Sequence, residues 1–155
     1  MRQATLLFLI DNEKILLALK KRGFGVGKWN GVGGKPNEGE SIDKAARREC
    51  QEEIAVKPTE ISKVAILNFY FPKSKSNWDQ QVSVYLCSKW QGEPIETEEM
   101  APKWFKFKNI PFEQMWADDK IWLPEVLEGH FVEADFYFDD NNGVAKQNLK
   151  VTDKI

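Results

Sequence analysis

The stretch "GGKPNEGESIDKAARRECQEEIAV", residues 33–56, carries three glutamates within five positions. Glu49, Glu52 and Glu53 would repel one another if they lay together without a compensating charge. Ser41 can cap a helix that begins just after it, and no proline or glycine interrupts the chain from there to Ile54. The sequence therefore predicts a helix over residues 41–54 that carries all three carboxylates.

On such a helix the glutamates lie three and four positions apart and share one face. That face adjoins an apolar stripe of residues spaced by four: Ile42, Ala46, Cys50 and Ile54. A solvated charged face is the usual fate of such a run. However, these carboxylates border the buried stripe, and only Arg48 is well placed to pair with Glu52. Carboxylates on a rigid element also suit a hard divalent ion such as Mg²⁺, and the spacing alone leaves both interpretations open.

The whole chain has 155 residues, of which 42% are hydrophobic and 30% are charged, with a net charge of −2. This composition is typical of one folded domain, here residues 1–155, and it argues against a disordered or membrane protein. A weak negative charge makes polymeric nucleic acid a poor partner, because binding a phosphate backbone needs an excess of Lys and Arg. A small anionic ligand stays compatible with this balance.

Two cysteines, Cys50 and Cys87, fall in apolar segments without the spacing of metal ligands. We expect them to be buried thiols in a reducing compartment. The start "MRQATLLFLID" lacks the length and the small-residue cleavage site of a signal peptide. We therefore expect a cytoplasmic protein that does not associate with membranes. We also expect a monomer.

Alternating apolar segments predict about seven strands and a second helix. The predicted strands are residues 4–10, 15–22, 63–71, 81–90, 103–109, 131–138 and 145–151. The second helix is expected over residues 112–127, with Pro124 kinking or shortening it. This content predicts a mixed α+β domain with helices packed on the two sides of a central sheet.

The spacing of charged residues resembles the signature of the Nudix hydrolases. The pattern is Gly34, five residues, Glu40, seven residues, then Arg48, Glu49, Cys50, one residue, Glu52 and Glu53. The resemblance implies an α/β/α sandwich with a mixed central sheet. It also implies hydrolysis of a nucleoside diphosphate linked to another group, with Mg²⁺ as cofactor and Mn²⁺ as an alternative. The family usually has glycine where this chain has Ala55, and a left-handed helix end suits alanine less well.

Roles follow from the family only where its signature matches this chain. The signature implies that the metal is held by the Gly33 carbonyl and by Glu49, Glu52 and Glu53. Glu52 or Glu53 would act as the base, and Arg48 would orient a glutamate through an ion pair. Glu40 is expected to stabilise the loop and not to take part in the chemistry.

The segments "KKRGFGVGKWNGVGGK" and "IPFEQMWADDKIWLP" resemble one group within the family, the animal-type MutT homologues that hydrolyse oxidised purine nucleoside triphosphates. The resemblance implies that Trp116 stacks on the purine, that Asp118 and Asp119 bind the base edge, and that Asn30 reads its opposite side. Further substrate-binding positions are Thr5, Lys20, Phe24, Phe69 and Phe138. The resemblance to this group also implies Glu99 as an additional metal ligand outside the helix.

Each of these residues also has a purely structural explanation. A tryptophan such as Trp116 is more often a core residue, the Asp pair could cap a helix, and Asn30 beside Gly31 could be a turn residue. Residues 67–79, "LNFYFPKSKSNWD", depart most from the group and bring extra lysines. The sequence constrains substrate selectivity least in that stretch.

The sequence therefore predicts Mg²⁺-dependent hydrolysis of oxidised purine nucleoside triphosphates, of the 8-oxo-dGTP or 2-hydroxy-dATP type, to monophosphate and pyrophosphate. One alternative is a Nudix pyrophosphatase for ordinary nucleoside triphosphates or another nucleoside diphosphate derivative. A second alternative is a non-catalytic nucleotide-binding regulator. Degenerate family members lose signature glutamates, whereas this chain keeps them all, which argues for an enzyme.

Overall fold

The computed structural model describes residues 1–153, in which eight strands and two α-helices form the regular structure. The strands are β1 Arg2–Asp11, β2 Lys14–Lys20, β3 Trp29–Asn30, β4 Lys57–Tyr70, β5 Gln80–Gln91, β6 Met100–Lys106, β7 His130–Phe138 and β8 Val144–Asp153. The helices are α1 Ile42–Ile54 and α2 Asp119–Leu127. Short 3₁₀ helices occupy Lys73–Trp78, Phe107–Asn109 and Phe112–Gln114.

The strands form one mixed sheet in the order β3-β2-β1-β5-β4-β7-β8, and β6 pairs with β2. The pairs β1–β5 and β4–β7 are parallel, whereas the other neighbours are antiparallel. Both parallel pairs lie in the centre of the sheet, where strands are covered on both faces. The mixed central sheet predicted from the sequence is therefore confirmed.

Strand β1 shows how the sheet is covered on both sides. Leu7 and Leu9 belong to the apolar cluster that contains the buried face of α1. Phe8, between them, belongs to the opposite cluster and lies 6.2 Å from the ring of Trp122 in α2. Since neighbouring strand residues point to opposite faces, α1 and α2 pack on opposite sides of the sheet. The expected α/β/α sandwich is confirmed.

Helix α1 has the predicted extent and the predicted caps. The Ser41 hydroxyl accepts a hydrogen bond from the Lys44 amide at 3.2 Å, and helical residues continue to Ile54. The buried side includes Ala46, Cys50 and Ile54. Both cysteine thiols are free and buried, as expected. Between residues 1 and 153, no helix combines the length and apolar character that crossing a bilayer requires.

The predicted helix over residues 112–127 is wrong in its first half. After the 3₁₀ turn Phe112–Gln114, Met115 adopts an extended backbone and buries its side chain in the core. The α-helix begins only after Asp118, with Pro124 inside its nine residues. Packing of Met115 thus overrides the local helical preference. An eighth strand, β3, lies between the predicted strands 15–22 and 63–71 and was not predicted.

The end of α1 carries the one departure from the family signature that the sequence revealed. Ala55 has φ 61° and ψ 31°, the left-handed conformation, and its amide donates to Gln51 O at 3.0 Å. For a residue with a Cβ this conformation costs about 1–2 kcal/mol. Alanine is thus tolerated at this helix end at a cost in stability.

We expect Ala55→Gly to stabilise the protein, because glycine adopts the left-handed conformation without that steric cost. The expected gain is about 1 kcal/mol in unfolding free energy, or roughly 2–4 °C in Tm. Thermal denaturation measures it. The matched control is Gly129→Ala, at φ 94° in open space, which should lower the Tm. An unchanged or lower Tm in Ala55→Gly would contradict the assigned strain.

Candidate active site

The central acid of the site is Glu53, whose side chain is buried beneath the loop that precedes α1. Its Oε1 accepts a hydrogen bond from the Gly33 amide at 2.8 Å, and the residue is only 5% exposed. Burial raises the pKa of Glu53 to about 8, and repulsion from Glu49 and Glu99 adds to this effect. Burial also raises the pKa of Glu49. These carboxylates are costly to ionise without a positive charge nearby.

The loop of Gly33 and Gly34 is held against β1. The Thr5 amide donates to Gly34 O at 2.8 Å, and the Thr5 hydroxyl lies 3.2 Å from the Gly34 amide that donates to it. A Cβ on Gly33 would lie 1.9 Å from Thr5 O, and a Cβ on Gly34 would lie 2.6 Å from Oε1 of Glu49. Only glycine lets this backbone pass between β1 and the glutamate face.

Arg48 binds the loop to the outer glutamates. Its guanidinium contacts Glu40 at 2.9 Å, Glu49 at 2.9 Å and Glu52 at 2.8 Å, and donates to Lys35 O at 2.9 Å. The hydrogen bond from Arg48 lowers the pKa of Glu40. The single cation expected to pair with Glu52 thus serves three carboxylates, and Glu40 stabilises the loop as the sequence suggested.

Glu99, the candidate carboxylate ligand outside α1, lies in a segment that a threonine ties to α1. The Thr97 hydroxyl donates to Glu53 O at 2.8 Å, and the Glu99 amide lies 3.3 Å from the same hydroxyl oxygen, to which it donates. The Glu99 carboxylate lies 3.5 Å from Arg22. The segment before β6 is therefore fixed to the C-terminal end of α1.

The donor set on this face fits a divalent cation. The carboxylates of Glu49, Glu52, Glu53 and Glu99 offer oxygen atoms only, and within residues 1–153 no three of them have these atoms within 4.8 Å of one another. Such ligands suit a hard cation, and a bound cation would offset the burial and repulsion that raise the pKa values of Glu49 and Glu53. Glu52 is half exposed and held by Arg48, so it lies at the rim of this face.

The ligand-type side chains that do come this close together among the described residues lie elsewhere. Within residues 1–153, the ligand atoms of Glu125, Glu128 and His130 all lie within 4.8 Å of one another. The Nδ1 atom of His130 lies 2.9 Å from Oε1 of Glu125, so this pair accounts for much of the proximity. The group sits where α2 ends and β7 begins, apart from the glutamates of α1.

One cavity of about 510 Å³ collects the predicted substrate-binding residues. All nine line it: Thr5, Lys20, Phe24, Asn30, Phe69, Trp116, Asp118, Asp119 and Phe138. Gly33 and Gly34 also line it, so the cavity extends to the loop that covers Glu53. Its size is within the range of small-molecule sites.

Aromatic rings form the wall at the end of the cavity away from the glutamates. The ring of Phe24 stacks on Trp116 at 5.1 Å and 26°, and Phe138 meets Trp116 edge-on at 6.1 Å. Lys28 Nζ lies 5.2 Å from the centre of the Trp116 ring. Trp116 is half-buried beside the cavity and is therefore not simply a core residue.

Asp118 and Asp119 are neighbouring acids, and each is only 2% exposed. Asp118 Oδ2 accepts a hydrogen bond from Trp122 Nε1 at 2.7 Å, and burial raises the pKa of Asp118 to about 6. Burial and the adjacent Asp118 raise the pKa of Asp119 well above its ordinary value. Among residues 1–153, Asp119 Oδ2 is the buried side-chain oxygen that has no hydrogen-bond partner. The two carboxyls can therefore share one proton, so that one of them acts as a donor and the other as an acceptor.

Some features of the site were missed by sequence reasoning. Trp122, predicted only as part of a helix, holds Asp118. The cavity is also lined by Arg2, Lys28, Lys35, Phe71, Asn77, Trp78 and Gln80. Several of these lie in or beside the stretch 67–79, whose departure from the group was the one sequence signal for them.

The chain matches a known protein family and is similar in sequence to well-described proteins. The NUDIX domain family matches residues 1–126. The oxidized purine nucleoside triphosphate hydrolase of Danio rerio is 39% identical over 145 residues, covering 94% of this chain and 92% of that protein. Its namesake from Mus musculus is 38% identical over 154 residues, covering 99% and 97%.

The fold has a counterpart among solved structures. The crystal structure of a MutT protein from Bacillus halodurans matches with a TM-score of 0.85 at 23% identity, covering 97% of this chain and 98% of that one. At this identity the likeness shows the fold alone. It agrees with the α/β/α sandwich described above.

We expect Glu53→Gln to fold and to be more stable than the parent chain at pH 8 when EDTA is present. The folded-state pKa of about 8 lies above the ordinary value of 4.5, so the buried acid lowers stability as pH rises from about 5 to 8. Glutamine keeps the acceptor for Gly33 but has no charge. The Tm difference between variant and parent should therefore grow over that pH range.

The control is Glu52→Gln, at the half-exposed glutamate that pairs with Arg48. It should show no comparable gain between pH 5 and pH 8. Thermal denaturation of the three proteins across this range measures the effect. A Tm difference for Glu53→Gln that stays constant with pH would rule out a buried acid with a raised pKa.

Proposed function

The chain belongs to the NUDIX family of hydrolases, and from this premise we propose that it hydrolyses oxidised purine nucleoside triphosphates to the monophosphate and pyrophosphate. The observation that carries the proposal is the cavity of about 510 Å³, which is lined both by Trp116 and Asp119 and by Gly33, whose amide binds the buried Glu53. A nucleotide placed there would have its base at one end and its phosphates at the other. The two full-length relatives named for this activity support the substrate class.

The base end is suited to read an altered purine edge. An indole provides a large stacking surface that tolerates many bases, so discrimination must come from hydrogen bonds. A protonated Asp119 beside an accepting Asp118 offers one donor and one acceptor. The unpartnered Asp119 oxygen is a strong reason for a ligand, because a buried polar atom left without a partner costs about 1–3 kcal/mol.

The phosphate end combines cations with the glutamate face. Lys20 lines the cavity and is close enough to Glu53 to lower the pKa of that carboxyl. Mg²⁺ is the cofactor that we propose, held by Glu49, Glu53 and Glu99 with the Gly33 carbonyl and with Glu52 at the rim. When bound, such an ion neutralises phosphate oxygens and acidifies a water molecule.

The protein's own residues then divide the remaining work. Arg48 keeps Glu49 and Glu52 oriented on the helix face, and the Thr5–Gly34 contacts hold the loop at its distance from α1. Either Glu52 or Glu53 would accept the proton from the attacking water.

The proposal is tested by measuring kcat/KM with Mg²⁺ for a panel of nucleotides and by identifying the phosphate product. The panel contains oxidised guanine, oxidised adenine and ordinary purine nucleoside triphosphates, with a nucleotide sugar and a dinucleotide. We expect preference for an oxidised purine and release of pyrophosphate. Glu53→Gln should lower kcat by about 100-fold or more.

Other outcomes of the panel would reject the proposal. Equal rates on ordinary triphosphates, or preference for a sugar or dinucleotide derivative, would assign another pyrophosphatase activity. Nucleotide binding without turnover of any member would assign a non-catalytic regulator. Normal turnover by Glu53→Gln would remove Glu53 from the reaction.

We expect Asp119→Asn to change the ranking of oxidised guanine, oxidised adenine and ordinary nucleotides. An amide always offers a donor and cannot exchange its proton with Asp118, so nucleotides that need the other protonation pattern should lose about 10-fold or more in kcat/KM. The same panel gives the ranking. The control is Asp135→Asn on β7, where the carboxylate binds Asn68 away from the cavity; an unchanged ranking in Asp119→Asn would refute base recognition by this pair.

A further inference from the structure

The segment after β4 forms a closed loop with a fixed shape. The Phe71 amide donates to Asp79 Oδ1 at 2.7 Å, which joins the two ends of the loop. Inside it, the Lys75 amide donates to Pro72 O at 2.7 Å, and the Asp79 amide donates to Ser76 O at 3.0 Å. The lysines of this loop are exposed, whereas Trp78 is half-buried. The loop thus holds one large aromatic side chain in place.

Trp78 lies at the cavity and contacts Phe24. The centroids of the two rings are 3.9 Å apart at 50°. Phe24 in turn stacks on Trp116 at 5.1 Å, and Phe71 meets Phe24 edge-on at 6.4 Å. Trp78, Phe24 and Trp116 all line the cavity. Phe24 therefore has an indole on two sides.

The position of Phe24 depends on these neighbours more than on its own backbone. Phe24 is flanked by Gly23 and Gly25, both with φ above 80°, in a loop without regular structure. Its side chain is 42% exposed, which is unusual for a large apolar residue beside a cavity. Aromatic contacts of this kind contribute about 0.5–1.5 kcal/mol each. They are the main restraint on where the ring lies.

We propose that Trp78 is a positioning residue that sets, through Phe24, how closely the aromatic wall closes on the base of the substrate. This inference rests on the proposed function for the identity of the ligand. A purine that stacks on Trp116 must share that surface with Phe24. Trp78 gives the Phe24 ring a second aromatic partner. Phe24 can therefore keep its contact with Trp78 and stay in the cavity wall while the base stacks on the indole of Trp116.

Because Trp78 lies away from the proposed phosphate end, the proposal predicts separate effects on base binding and on bond cleavage. Trp78 contacts Phe24 in the aromatic wall, whereas Gly33, at the proposed phosphate end, binds Glu53. Loss of Trp78 should therefore weaken binding of the base and leave bond cleavage unchanged. A general loss of structure would affect both ends.

The test compares Trp78→Ala and Trp78→Phe with Lys75→Ala, an exposed residue of the same loop. We expect Trp78→Ala to raise KM for the preferred triphosphate and Kd for its monophosphate by about 5- to 10-fold, the size of one aromatic contact, with kcat within about twofold. Trp78→Phe should recover at least half of the loss on a logarithmic scale. Lys75→Ala should resemble the parent chain.

Inorganic pyrophosphate serves as a ligand without a base. Its inhibition constant should be the same in the parent chain and in Trp78→Ala. Should Trp78→Ala not fold, as judged by its Tm, Trp78→Leu keeps an apolar side chain without a ring and takes its place. A rise in the pyrophosphate inhibition constant that equals the rise in KM would overturn the proposal.

A double-mutant cycle with Phe24→Ala tests the route through Phe24. If Trp78 acts by placing that ring, the double variant should lose no more affinity than Phe24→Ala alone. Fully additive losses would overturn it. This outcome can be distinguished from a failure of the proposed function. If the parent chain shows no preference for oxidised purines, that function is refuted. The effect of Trp78 on affinity can still be measured with any purine monophosphate that binds.

Discussion

The hydrogen bond between the Gly33 amide and the Glu53 carboxylate joins the parts on which the site depends. It connects the loop that Thr5 fixes to β1 with the helix that carries the glutamates. Burial of an acid is unfavourable by itself, and one backbone donor offsets only part of its cost. The remaining cost, seen as a pKa of about 8, is what a bound cation would relieve. The fold therefore holds Glu53 ready for a positive charge.

The other end of the cavity also contains buried neighbouring acids, but there the burial favours protonation. Asp118 and Asp119 are buried beside each other, and their proximity favours a proton on Asp119. At the glutamate end, buried acids favour a cation; at the aspartate end, they favour a shared proton. Both arrangements reduce stability in the absence of a ligand, which is common where a site is preorganised for binding.

How far the sequence predicts this structure depends on how local each feature is. Helix α1, its Ser41 cap and the strained Ala55 follow from residues close in sequence, and the structure has all three. The second helix was predicted to begin too early because Met115 packs its side chain into a core that is formed by strands distant in sequence. The contact of Trp78 with Phe24 joins residues more than fifty positions apart. Local sequence patterns carry no information about such contacts, so the aromatic wall could be recognised only in the folded structure.

The aromatic wall depends more on irregular segments than the carboxylates of α1 and α2 do. Three of the four glutamates lie on α1 and the Asp pair lies at the start of α2, both packed on the sheet, whereas Phe24 lies on a loop and Trp78 ends a short 3₁₀ helix. Residues on regular elements keep their geometry when a loop changes. Changes around residues 67–79 can thus alter which base fits without moving the groups that act on the phosphates. The stretch that departs most from the animal-type MutT pattern is, for this reason, the part of the cavity where such a departure disturbs the reaction least.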